Sequence, residues 1–190
     1  EWGYSNRLID LVAYMKSRDL ACNSESECKV LSKETLAELK DTATKLCAPG
    51  KGFLAADESA GPWLRAGHAG AAKIPDNIQN RAAYRAMCFS TPGLSEYISG
   101  VILHWETLFQ DAANGTPMVD IINGNGMIPG IKVDKAYDKK GIPGTKKGPL
   151  GHPEVSTVGL DDLKERCRQA YAKGARFAKW RNVLQLDPES

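Results

Sequence analysis

Two lysines stand in apolar runs where an amine has no ordinary place. They are Lys132, in Gly130-Ile-Lys-Val-Asp134, and Lys179, in Ala175-Arg-Phe-Ala-Lys-Trp180. Lysine is rarely buried without a partner or a purpose, because its ammonium is costly to strip of water. A third apolar run, Gly52-Phe-Leu-Ala-Ala56, ends on Asp57-Glu58-Ser59. A buried strand with polar residues at its C-terminal end fits that pattern. Groups of this kind gather at the inner face or mouth of an α/β barrel, where active sites of that architecture sit.

The elements that must hold these residues follow from periodicity. Ser32 is a plausible cap for a helix ending near Cys47, with Leu36, Leu39, Ala43 and Leu46 as its apolar stripe and Pro49-Gly50 as its stop. Pro75-Asp76 opens a second helix carrying Ile78, Ala82 and Met87. A third runs from Leu160 to Lys173, with Leu163, Cys167, Ala170 and Tyr171 inward and Gly174 beyond its end. Between and after these lie four strand candidates: 52–56, 99–104, 130–134 and 175–180. Short apolar strands alternating with helices imply βαβ units and a parallel sheet.

Residues 1–31 read as a separate lead-in to a body spanning 32–190. Leu8, Ile9, Leu11, Val12 and Met15 recur at helical spacing among Arg7, Lys16 and Arg18. That helix either packs on the body or docks on a partner. The chain begins at Glu1 and shows no signal-peptide pattern, which reads as a processed product. A length of 190 residues fits one domain, and a net charge of +2 gives no field that would draw nucleic acid or a membrane surface. No run approaches the roughly 18–20 apolar residues of a transmembrane helix. The five cysteines are odd in number and widely spaced, against a secreted disulfide framework. Cys22 and Cys28 could pair across a short loop or stay as free thiols.

In order along the chain, Lys51-Gly-Phe-Leu-Ala-Ala-Asp-Glu-Ser59, Ser99-Gly-Val-Ile-Leu-His-Trp-Glu-Thr-Leu-Phe-Gln110, Gly130-Ile-Lys-Val-Asp-Lys135 and Gly174-Ala-Arg-Phe-Ala-Lys-Trp-Arg181 resemble the first four strand motifs of class I fructose-bisphosphate aldolases. The resemblance covers about residues 34–190 and is closest in flavour to plant and algal forms. It implies an α/β fold, a partial TIM (βα)8 barrel comprising about the first four strands with their helices. It implies chemistry without metal or cofactor: a lysine amine attacks the substrate ketone, the iminium accepts electrons as the C3–C4 bond breaks, and carboxylates move protons. On this chain Asp57 matches the aspartate that orients substrate and nucleophile. Lys179 matches the lysine that assists proton transfer and lowers the nucleophile's pKa, and Lys132 matches a lysine near the substrate. Ser59, Gly61, Arg65 and Arg181 match substrate- or phosphate-binding positions, with Glu58 in a matching motif position.

The sequence also departs from the family. A full barrel takes about 250 residues, and the family's fifth-strand glutamate and sixth-strand Schiff-base lysine have no counterpart among these 190. In the phosphate loop, Pro62 stands at a small polar position and removes a backbone donor. Arg65 stands where Lys is usual, Ala66 where Arg is usual, and Trp63 adds bulk. The loop 136–158 is long and basic, with Lys139, Lys140, Lys146 and Lys147. It reads as a solvated surface or a partner contact.

Two functional expectations follow. The first is an aldolase-derived, non-catalytic structural or linker protein in a larger assembly, whose other subunits cover the open half-barrel edges. A membrane-associated complex is among the partners left open. The second is a portion of a working aldolase, a homo-oligomer that cleaves fructose 1,6-bisphosphate to dihydroxyacetone phosphate and glyceraldehyde 3-phosphate. The algal-like motifs and processed start favour a plastid, with the cytosol as alternative.

Overall fold

Ser32 caps the first helix: its Oγ accepts the Thr35 N–H at 3.1 Å, and α1 runs Lys33–Leu46. The computed structural model describes residues 31–67, 73–138, 140–143, 145, 151 and 153–184. The expected lead-in helix, Cys22 and Cys28, and Lys139, Lys146 and Lys147 of the basic loop lie outside the described residues. The chain divides into two units between Asp41 and Thr42, inside α1, and the second unit carries everything that follows.

Four strands form one sheet: β1 (Gly52–Ala56), β2 (Ile98–Leu103), β3 (Ile128–Lys132) and β4 (Phe177–Lys179). All neighbours are parallel, and their spatial order is their sequence order. Between them come α2 (Gly61–Ala66), α3 (Ile78–Phe89), α4 (Leu94–Tyr97), α5 (Trp105–Leu108), α6 (Met118–Gly124) and α7 (Leu163–Ala172). The strands and the three long helices lie close to their expected positions. α2, α4, α5 and α6 were not anticipated, being too short to show a 3.6-residue period.

Strand alternation sorts the side chains onto two faces. Val101, Leu103 and Ile131 join Phe89, Met118 and Ile122 in a core with almost no exposure, so helices cover this face. The other face carries Phe53, Ala55, Gly100, Ile102, Gly130 and Phe177, and it is open: Phe53 is 46% exposed. The expectation of fully buried strands is therefore corrected for β1; in β4, at the sheet's edge, Ala178 is exposed although it pairs with Ile131 on the helix-covered side. Apolar sequence marks a surface that can be buried, and here helices shield only one side of it.

The same distinction corrects several helix faces. In α1 only Leu46 is buried, and Leu36, Leu39 and Ala43 are exposed. In α3, Ile78 and Met87 are exposed, and the inward positions are Arg85 and Phe89. In α7, Tyr171 is exposed while its backbone neighbour Ala170 is buried; its ring lies against the Arg176 guanidinium, 4.4 Å from the centroid. Gly174 follows α7 at φ 103°, the positive value expected of a glycine just past a helix end.

The sheet is curled as part of a barrel. In a flat sheet, the first and fourth strands would lie roughly 14 Å apart at ordinary spacing. Yet Lys179, ending β4, reaches Asp57, just past β1, at 2.6 Å. Among the described residues, no helix is long and apolar enough to cross a membrane, and Cys47, Cys88 and Cys167 are free thiols.

Candidate functional site

Register fixes which side chains share a level inside the curl. Phe53 pairs with Gly100 and Ala55 with Ile102. Ile102 pairs with Gly130. Gly130 pairs with Phe177 and Lys132 with Lys179. The lower levels are apolar and tightly fitted. The Phe53 and Phe177 rings meet edge to face at 5.5 Å. A Cβ on Gly130 would collide with the Phe177 ring, and one on Gly100 would stand 2.6 Å from Leu46 Cδ2. The glycines are thus the space into which Phe177 folds.

Two residues further along each strand the level turns polar. Continuing the register by one alternation puts Asp57, His104, Lys132 and Lys179 side by side at the strands' carboxyl ends. Three of these are the residues singled out from sequence. The Asp57 side chain is 6% exposed and accepts a charge-assisted hydrogen bond from Lys179 Nζ. Lys132 Nζ donates to the Asp134 carbonyl at 3.1 Å and lies 3.2 Å from Asp134 Oδ1. Burial pushes the Asp134 carboxyl up, but the Ala136 N–H and Lys132 outweigh it, leaving its pKa below the usual carboxylate value. The same carboxylate accepts the Ala136 N–H at 3.1 Å and holds Ala136 at φ 70°, the left-handed region a non-glycine residue seldom enters.

The expected phosphate-binding residues do not all join this level. Together with Asp76, Arg81 and Arg85, Ser59, Gly61 and Arg65 line a 390 Å³ cavity, which meets that level only at His104. Arg65 is not a free cation there, because it is paired with Asp76. Asp76 also takes Arg81 at 2.6 Å and packs against Gly61, where any side chain would clash with it. Pro62 occupies the first turn of α2, where its missing N–H breaks no helical bond. Arg181 points elsewhere: its guanidinium lies 5.6 Å from the Tyr137 ring centroid, and its carbonyl accepts the Thr157 hydroxyl.

Sequence reasoning passed over a second polar cluster. Arg81 bridges Asp76 and Glu106, and both carboxylates hold its proton more firmly than usual. Buried Arg85 donates to the Glu58 carbonyl, pinning the loop after β1. The clue was available in Asn80-Arg-Ala-Ala-Tyr-Arg85, where two arginines four apart fall on one helix face. His104 was also missed, although its place one step past an apolar strand matches that of Asp57. Among the described residues, no group of three or more His, Cys, Asp or Glu side chains could hold a metal ion.

The model of the glycolytic class-I fructose-bisphosphate aldolase family matches residues 38–190. The chain belongs to the class I fructose-bisphosphate aldolases. It is 49% identical over 158 residues to fructose-bisphosphate aldolase 1 of Toxoplasma gondii, covering 83% of this chain and 41% of that one. It is 45% identical over 156 residues to the cytoplasmic isozyme of Spinacia oleracea, with coverages of 80% and 40%. Among solved structures it is similar to the Plasmodium falciparum aldolase in a ternary crystal with TRAP and a small-molecule inhibitor. That likeness has a TM-score of 0.71 at 45% identity, over 85% of this chain and 44% of that chain. The chain therefore spans about two fifths of the length of these curated aldolases, and its four-stranded sheet is the corresponding part of an aldolase barrel.

Proposed function

We propose that this chain carries the substrate-orienting and proton-handling part of a class I aldolase site that acts on fructose 1,6-bisphosphate and dihydroxyacetone phosphate. The observation that supports this best is the Lys179–Asp57 hydrogen bond of 2.6 Å. It joins two motifs far apart in sequence at the carboxyl ends of the strands. Asp57 is an acceptor for substrate hydroxyl protons, and Lys179 fixes its orientation through their hydrogen bond. Lys132 and Lys179 place two amines at one level, each beside a carboxylate, where a further amine would enter. That amine, the family's sixth-strand nucleophile, has no counterpart in these 190 residues, so the covalent step needs a group from outside them. Spinach and pea cytoplasmic isozymes among the relatives support a cytosolic reading; the relatives give the plastid expectation no such support.

A second reading, a non-catalytic linker or structural subunit, is favoured by the Arg65–Asp76 pair, which occupies the cation that a phosphate would use. In it, partner subunits cover the open face of the sheet.

Borohydride trapping with dihydroxyacetone phosphate separates the two, run on the protein from its native source together with its intact mass. The enzyme reading expects a native polypeptide about twice the 20.6 kDa of this chain that takes one adduct, while the 190 residues alone take none. A native polypeptide of 20.6 kDa that takes no adduct and binds no sugar phosphate would remove the enzyme reading. An adduct on the 190 residues alone would overturn the claim that the nucleophile comes from outside them.

A further inference from the structure

The polar level of the curl has four members, and three are already engaged: Asp57 with Lys179, and Lys132 with Asp134. His104 is the fourth. Its Nδ1 accepts the Glu106 N–H at 3.2 Å and so caps α5. A ring that accepts at Nδ1 carries its proton on Nε2 when neutral. Among the described residues Nε2 has no hydrogen-bond partner. His104 forms part of the wall of two cavities: the 390 Å³ one holding Ser59, Gly61 and Arg65, and a 270 Å³ one holding Lys132 and Asp134. The donor therefore stands between the candidate phosphate residues and the lysine level. Burial lowers the imidazole's pKa; the Glu106 carboxylate is the main opposing influence, and the Arg85 and Lys132 charges add to the lowering. A neutral donor suits a neutral oxygen, whereas phosphate is better served by arginine and backbone N–H groups.

We propose that His104 is a specificity-determining residue of the site proposed above, its Nε2–H donating to a hydroxyl or carbonyl oxygen of the sugar carbon chain and not to a phosphate. This rests on the enzyme reading, and the test keeps the two apart. In the full native polypeptide, ¹⁵N-labelled, the His104 imidazole resonance can be assigned as the one lost on His104 substitution and followed during titration. The two probes are dihydroxyacetone phosphate and inorganic phosphate. The expected result is a saturable shift of His104 Nε2 with dihydroxyacetone phosphate and none with inorganic phosphate.

Two variants separate this from the capping role. His104→Asn keeps an acceptor for the Glu106 N–H but loses the reach. His104→Gln extends an amide N–H towards the Nε2 position. H104N should bind dihydroxyacetone phosphate about five-fold more weakly, the loss of one ordinary hydrogen bond, and H104Q should recover most of it. Lysine resonances that respond while His104 does not would overturn the proposal and leave the enzyme reading standing. An equal response to inorganic phosphate would overturn it as well. No response from either group would overturn both.

Discussion

Replacing Lys179 should cost more than replacing Asp57, although both changes break the same hydrogen bond. At 2.6 Å the charges attract by about 6 kcal/mol at an effective dielectric of about 20. Desolvation of both ions offsets most of that, and Lys179, 30% exposed, is further screened by water. A net coupling of about 1–2 kcal/mol remains. The two ends are unequal. Lys179→Met leaves a carboxylate only 6% exposed without its cation, a loss of about 2–4 kcal/mol. Asp57→Asn leaves an ammonium that can turn to solvent and keeps an acceptor beside it, at about 1 kcal/mol. Urea unfolding of the wild type, both single variants and the double variant gives the cycle. The double variant should be more stable than the sum of the singles predicts, by the coupling energy. Strict additivity would refute the reasoning, because it would mean the ions do not interact and the curl of the sheet does not depend on them.

Three further outcomes follow from the geometry. Gly130→Ala should destabilise by about 1–3 kcal/mol by driving Phe177 out of its space, and adding Phe177→Leu should recover part of that loss in the urea midpoint. Ser99→Ala should cost about 1–2 kcal/mol by the same measurement, since the buried hydroxyl donates to the Leu46 carbonyl at 2.7 Å and joins the end of α1 to the sheet. Glu165 titrates at about 2, held down by Arg168 and then Gln169. Its contribution to stability is present above the ordinary value of 4.5 and is lost as pH falls towards 2. Arg168→Ala should move its titration, followed by carboxyl NMR, back towards 4.5.

How much of this was legible in the sequence differs by feature. The four strands were readable because each is a short apolar run closed by glycine, proline or charge. Their parallel pairing followed from the helices between them. Asp57, Lys132 and Lys179 could be picked out because a charged residue inside or at the end of an apolar strand contradicts its surroundings. The ionic cluster of Asp76, Arg81 and Glu106 offered no such contradiction: each stands in a loop or helix where a charge is ordinary, and only the fold brings α3, the loop before it and α5 together. Arg65 shows the same limit, since its partner Asp76 comes from a different loop. Apolar stripes on α1 and α3 marked faces that could be buried, yet nothing local says whether another surface arrives to cover them.

The sequential strand order has a kinetic consequence. Each strand pairs with the next one made, so the sheet can grow by accretion as the chain leaves the ribosome, beginning with β2 and β3, which share the shortest connection. The Asp57–Lys179 contact joins the first strand to the last and closes the longest loop, so it is the last of the sheet's links to form. A late contact contributes little to the folding transition state. Its loss should leave the folding rate nearly unchanged and appear almost wholly as faster unfolding. The pair that organises the candidate site would then also set how long the curled sheet, once made, persists.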